Sequence, residues 1–369
     1  MRLERPFLWF SQLVDGHPKP WEHFKIDGVM VNAHEIMQTM RTESEVRQRG
    51  IHDYLGFKGP ITMDSGGFLF MQKETLKVDP LSILKLYRKS RPDYGVVLDH
   101  PLGSNLTTSE RKRRQLRTLR NTRHMVESRS SSDPELIPVI HGHTSHSIKW
   151  YVQELQEIDD FDIYGIGSLV PSAFNTRGVG GIYNVIEILC QVRKLLPEKK
   201  IHVFGIGSAI TMHLMFYAGA DSVDSSSWRS KAAFGAIQLA GIGDRYITSN
   251  KKHKKYLNLS RKEERILDSC ACPACRHHSL GNMRKNFQLR ALHNAWVFQN
   301  EIKKVRKLIR QNRYENYVEK VLKRNRFYPV FEHVRKSMER SSQIKTSTAQ
   351  ATSFFDWAQI EQRIYPDFH

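Results

Sequence analysis

Ile61-Thr62-Met63-Asp64-Ser65-Gly66-Gly67-Phe68 carries a short apolar and β-branched run into an aspartate and a pair of glycines. Such a run suits a strand buried on both faces. The two glycines suit a turn that takes φ > 0 or lies close against a ligand; a plain tight turn capped by Asp64 is the simpler alternative. Similar runs recur from Val29 to Ala33, Tyr94 to Asp99, Leu136 to Gly142, Phe161 to Leu169, Ile201 to Gly207 and Asp221 to Ser226.

Helical spacing fills most of the intervals. Thr107-x-x-Glu110 fits a capping box, and Leu116, Leu119 and Val126 follow on one face. Asn184 to Leu196 reads as another helix, with Asn184 as its N-cap. Strand and helix in alternation argue for parallel strands with crossover helices. With an eighth run near Tyr246 to Thr248, the count is closer to a (β/α)8 TIM barrel than to an open sheet.

The strand ends carry polar residues: Asp64, Asp99, His141, Ser168, Ser208 and Asp224. In a barrel that edge builds the active site, although two or three of them could be helix caps.

The chain has 369 residues, with 57 Lys+Arg against 38 Asp+Glu and a formal net charge of +19. Hydrophobic residues at 40% allow a large core and exclude global disorder. No apolar run approaches a membrane span and the opening residues lack a signal-peptide core, so a soluble cytoplasmic protein with no membrane partner is expected. The positive charge is clustered in Arg111-Lys112-Arg113-Arg114 with Arg117, Arg120 and Arg123, in Lys251, Lys252, Lys254 and Lys255, and between Lys303 and Arg313. One such run is ordinarily a solvated face; three together favour a polyanion, nucleic acid above all.

Beyond about residue 250 the texture changes. Cys270-x-Cys272-x-x-Cys275 with His293 makes a closed tetrahedral set for a structural zinc ion, with His277 and His278 less suited as fourth ligand. Cys190 reads as core. Leu289, Leu292, Trp296, Ile302, Val305 and Ile309 trace one apolar stripe, and Tyr314, Tyr317, Val318 and Val321 another. Ser341 to Ser353 reads as a loop that Phe354, Phe355 and Trp357 dock back. The expected organisation is a barrel over 1–255, a zinc-binding subdomain over 256–300 and a basic helical extension over 301–369.

Several motifs occur in a consistent order: Asp64-Ser65-Gly66-Gly67-Phe68, Val97-Leu98-Asp99, Gly165-Ile166-Gly167-Ser168-Leu169, Phe204-Gly205-Ile206-Gly207, Gly219 to Asp224, and the cysteine cluster with Leu292-His293-Asn294. On these the chain resembles the queuine/archaeosine tRNA-guanine transglycosylase superfamily of zinc-containing (β/α)8 barrels. The resemblance implies that Asp224 is the nucleophile attacking the anomeric carbon of a guanosine. It makes Asp64 the general acid/base as guanine leaves and a 7-deazaguanine enters. Asp99 would read the guanine-type edge, with Ser65, Gly167, Ser168 and Leu169 lining the pocket. Two carboxylates suit such an exchange: one must be ionised to trap an oxocarbenium-like carbon, and the other must trade a proton.

The chain departs from the tRNA enzymes at several points. His141 stands where bacterial members carry Gln, which makes it a candidate base-contacting residue of altered selectivity. His100-Pro101 follows Asp99, and Ser225-Ser226-Ser227-Trp228-Arg229-Ser230 replaces a Pro-Thr-Arg stretch that helps hold the anticodon loop. No C-terminal RNA-binding domain of the archaeal kind is seen. These departures fit a branch that inserts a base such as preQ0 into DNA, with tRNA as the alternative. Trp228 could stack on an unpaired base beside Arg229 and the Lys251–Lys255 cluster, or be core. A homodimer, and an ATPase or helicase-like accessory protein, would fit a duplex substrate. The competing function is a non-catalytic, zinc-dependent nucleic-acid-binding subunit, which would leave Asp64 and Asp224 unused.

Overall fold

The computed structural model describes residues 5–67, 78–103, 105–174, 180–248, 258–323 and 325–347. Its core is a parallel sheet of β1 (Phe7–Ser11), β2 (Gly28–Asn32), β3 (Ile61–Asp64), β4 (Tyr94–Val96), β5 (Glu135–Ile137), β6 (Val139–Ile140), β7 (Ile163–Ile166), β8 (Lys200–Val203) and β9 (Ser222–Ser225). Hydrogen bonding runs in the order β5-β4-β3-β2-β1-β9-β8-β7-β6. Its two end strands are consecutive in the chain and separated only by Pro138, which has no N–H to give the ladder. β5 pairs with β4, while β6 pairs with β7. Together they form one stave, and the sheet closes as the expected (β/α)8 TIM barrel.

The stave missing from the sequence reading is β1. Phe7-Leu8-Trp9-Phe10 is buried throughout and so lacks the alternation that marks a half-exposed strand. The expected eighth run at Tyr246 to Thr248 is corrected accordingly. Tyr246 ends β11 (Gly243–Tyr246), which pairs antiparallel with β10 (Ala236–Leu239) outside the barrel.

The helix Thr108–Ser128 has the expected capping box, Thr107 with Glu110. It buries Leu119 and Met125, whereas Leu116 is exposed, so the apolar face is rotated from the expected one. The helix Gly180–Leu195 begins before Asn184, which is therefore interior rather than an N-cap. Cys190 packs against the core as expected.

The long helix Phe287–Arg310 runs through residue 300. Its apolar stripe serves two partners. Phe298, Ile302 and Val305 join the barrel core, while Leu289, Leu292 and Trp296 face the cysteine loop and Phe24. Arg306 and Gln299 hold Asp27 ahead of β2, which fixes this helix to the barrel wall. The Ser/Thr/Gln-rich stretch expected as a loop is helical as far as Ser347, in Tyr328–Ser347. Phe354, Phe355 and Trp357 lie outside the described residues. Among the described residues no helix is long and apolar enough to cross a membrane.

Candidate active site

All barrel strands are parallel, so their C-terminal ends meet at one edge and bring residues far apart in sequence around one cavity. The cavity measures about 310 Å3 and is lined on its polar side by Asp64, Asp99, Ser168 and Asp224. Its apolar wall includes Met30, Val139, Leu169 and Phe204. That size lies in the usual range of about 300–1,000 Å3 for small-ligand sites.

Asp64 ends β3 beside Asn32 of β2, with which it is in register. Asn32 Nδ2 donates to Asp64 Oδ2 at 2.9 Å, while Asn32 Oδ1 caps the following helix by accepting from His34 N. Gly66 N–H donates to the same carboxylate oxygen at 3.2 Å. Burial, reinforced by the charges of Asp99 and Asp224, pushes Asp64 up from 3.8 to about 7. The turn glycines have separate jobs: Gly66 has φ 89°, and a Cβ on Gly67 would stand 1.8 Å from Asp99 Oδ1. The expected φ > 0 is met at Gly66, while Gly67 leaves room for the Asp99 side chain. Phe68 lies outside the described residues.

Asp224 is 8% exposed, on β9, with two strands, β2 and β1, between it and β3 in the hydrogen-bonded order. Ser11 Oγ donates to its Oδ2 at 2.9 Å, and Gly205 N–H donates to Oδ1 at 2.6 Å. Ser11 is in place because β1 pairs with β9, aligning Trp9 with Asp224. The sequence reading missed Ser11 because it missed its strand.

Asp99 follows β4 and is 7% exposed. His141 Nε2 stands 3.0 Å from its Oδ2, and His141 Nδ1 is 2.8 Å from Ser168 Oγ. Ser168 has φ 64°, unusual for a serine, and accepts from Leu102 N–H at 2.6 Å. With that N–H donating to the oxygen, the serine proton is free for His141 Nδ1 and the ring proton falls on Nε2, which stands 3.0 Å from Asp99 Oδ2 without the alignment of a hydrogen bond.

His141 is fully buried and is not among the cavity-lining residues. It lies beside Asp99 and off the cavity lining, not where the expected base contact would place it. Ser65 is corrected likewise: its hydroxyl donates to Val97 O at 3.1 Å, away from the cavity. Gly167, Ser168 and Leu169 do line it. Ser208 is a cap, bonded to Thr211 N and Oγ1. His100 turns to Asn121 of the outer helix, and burial with Arg117 nearby lowers it to about 4.

Trp228 is 0% exposed and packs edge-on to Phe10. A ring with no free face cannot stack on a base, so the core alternative holds. Arg229 lies half-buried near the rings of Trp228 and Phe287. Lys251, Lys252, Lys254 and Lys255 fall outside the described residues. On the helix Thr108–Ser128, Arg113, Arg117, Arg120 and Arg123 all point to solvent.

The expected metal ligands converge. One donor atom from each of Cys270, Cys272, Cys275 and His293 lies within 4.8 Å of the others. His293 is fixed on the long helix, and Cys272 is fully buried. His277 and His278 remain exposed and outside the set. Three thiols and an imidazole suit a metal ion bound without an open position.

The family model described as queuine tRNA-ribosyltransferase matches residues 16–326. Among curated proteins, the tRNA-guanine(15) transglycosylase of Pyrococcus abyssi is 26% identical over 301 residues, covering 80% of this chain and 47% of that protein. The enzymes of the same name from Methanococcus aeolicus and Korarchaeum cryptofilum are each 28% identical, covering 84% and 85% of this chain and 46% and 50% of theirs. The chain thus spans about half the length of the curated relatives it matches.

Proposed function

The chain belongs to the queuine tRNA-ribosyltransferase family, and on that footing we propose that it is a pentosyltransferase exchanging guanine in a polynucleotide for a 7-deazaguanine base such as preQ0. One observation carries the proposal. Asp64 and Asp224 line one cavity, and burial together with the charges of Asp99 and Asp224 raises Asp64 to about 7. A carboxyl able to trade a proton near neutrality, facing a second carboxylate, is what a two-step displacement at a sugar carbon requires.

Asp224 attacks C1′ of the target nucleoside as the bond to guanine breaks. The electron pair leaves with the base, and protonated Asp64 supplies its proton. The product is a glycosyl ester on Asp224. Asp64, now a carboxylate, takes the ring proton of the incoming base, whose nitrogen displaces Asp224 from C1′. Asp99 accepts from N–H donors of the base edge, and Phe204 and Leu169 exclude water that would otherwise hydrolyse the ester. Zinc, at Cys270, Cys272, Cys275 and His293, would supply a structural cross-link.

The names of the relatives make tRNA the first substrate, ahead of the DNA expected from sequence. DNA is the second reading, favoured by segment 225–230, which lacks the anticodon-holding motif and turns its Trp into the core. The protein is incubated with preQ0 and either unmodified tRNA or duplex DNA, and released nucleosides are quantified by mass spectrometry. Modified nucleoside from tRNA, absent with Asp224→Ala, supports the main reading; product from DNA alone moves the substrate to the second. Product from neither, with zinc bound, defeats exchange.

A further inference from the structure

His202 lies in β8 and belongs to none of the motifs above. It is 1% exposed. Its Nδ1 is 2.9 Å from Ser222 Oγ on β9, and its Nε2, 3.5 Å from Asp224 Oδ1, has no hydrogen-bond partner among the described residues. The ring of Phe204, a cavity-lining residue, stands edge-on to the imidazole at 4.4 Å between centroids. A buried imidazole nitrogen aimed at a carboxylate and otherwise unpartnered calls for an explanation.

The tautomer follows from the two neighbours. If Ser222 O–H donates to Nδ1, the ring proton sits on Nε2 and points to Asp224 Oδ1. The opposite choice sets a nitrogen lone pair against a carboxylate oxygen, which is repulsive. Asp224 Oδ1 then accepts from Gly205 N–H at 2.6 Å and has the His202 N–H poised beside it at 3.5 Å, short of a hydrogen bond. Among the described residues, Asp224 Oδ2 accepts from the hydroxyl of Ser11, a single rotatable donor at 2.9 Å.

We infer that His202 is a positioning residue that makes the two oxygens of Asp224 inequivalent, Oδ2 attacking the sugar and Oδ1 becoming the carbonyl oxygen of the ester. The inference rests on the proposed role of Asp224 as nucleophile. In the first step an Oδ2 lone pair forms the bond to C1′ as the bond to guanine breaks. The Ser11 hydroxyl turns away, while the Oδ1 contacts stay in place. In the second step the C1′–Oδ2 bond breaks and its electron pair returns to the carboxylate. Donors on Oδ1 favour the charged carboxylate over the neutral ester. They therefore help the ester break down more than they help it form.

The test compares wild type, His202→Phe, His202→Gln and Asp224→Ala, all as full chains, in base exchange with the polynucleotide that wild type uses. The covalent protein–polynucleotide adduct is read on denaturing gels at steady state. His202→Phe is expected to lower kcat about 10- to 100-fold, the usual worth of a hydrogen bond to a charged group, as the 3.5 Å contact tightens in the bound complex. KM for polynucleotide and for base should stay within about twofold, and the adduct fraction should rise. His202→Gln, which can again offer an amide N–H, should recover most of kcat and so separates loss of the donor from loss of the fold.

Wild-type kcat and adduct level in His202→Phe would overturn the inference, as would a lower adduct level or failure of Gln to rescue a folded variant. Exchange persisting in Asp224→Ala would instead defeat the nucleophile assignment on which it rests.

Discussion

His293 Nε2 stands 2.9 Å from the carbonyl oxygen of Gln238, and so its Nδ1 is left facing the sulfurs of Cys270, Cys272 and Cys275 at 3.4–3.8 Å. The β10 carbonyl selects the tautomer whose lone pair points at the metal position, as an outer partner commonly does for a metal-bound imidazole. Purified protein should contain about one zinc per chain by elemental analysis, the complement of a closed four-ligand set. Cys272→Ser should lose it, and a strong chelator should lower the melting temperature. A metal-free protein with the same melting temperature would remove the zinc assignment.

Asp64 gives a pH dependence with a definite sign. Its folded value of about 7 lies above its ordinary 3.8, so the folded chain keeps a proton that the unfolded chain has released between those values. The stability contributed by this group is complete below the lower value and is lost as pH rises through the upper one. The slope is at most about 1.4 kcal/mol per pH unit. Melts of Asp64→Asn between pH 5 and 8 should lose that component while exchange disappears. An unaltered slope would show that Asp64 does not titrate there.

Asp99 Oδ2 stands 3.0 Å from His141 Nε2, and its other oxygen lies toward Gly67. His141→Leu should raise KM for the incoming base about 10-fold, since taking the polar neighbour from a buried carboxyl costs about 1–3 kcal/mol. The KM for polynucleotide should change little. Equal effects on both substrates would mean that the substitution disturbs the barrel rather than base recognition.

Trp228→Ala distinguishes core from contact surface. Removing a fully buried Trp beside Phe10 should cost about 3–5 kcal/mol of stability in denaturant titrations. Polynucleotide affinity of the folded fraction should be unchanged. A selective loss of affinity at constant stability would restore the stacking role.

The exposed arginines of the helix Thr108–Ser128 make a further measurable claim. If they neutralise phosphates, Arg113→Glu with Arg117→Glu should weaken binding and reduce the salt slope of log K by about 1.4–1.8, two contacts at about 0.7–0.9 each. An unchanged slope would leave that helix a solvated face.

Local chemistry was legible in the sequence. The metal ligands, the Asp-Ser-Gly-Gly turn, the capping box at Thr107 and the strand-end aspartates depend on residue type over a few positions, and the structure keeps each of them. The first stave was not legible, because Phe7–Phe10 is buried on every side and has no period to read. Barrel closure decided the rest. It joins β1 to β9, placing Ser11 on Asp224, and sets His202 of β8 beside that same carboxylate. It also sinks His141 behind Asp99 and Trp228 behind Phe10. Whether a histidine touches a ligand or braces the residue that does depends on which strands become neighbours and how far each side chain is buried, and those are properties of the closed sheet rather than of any segment within it.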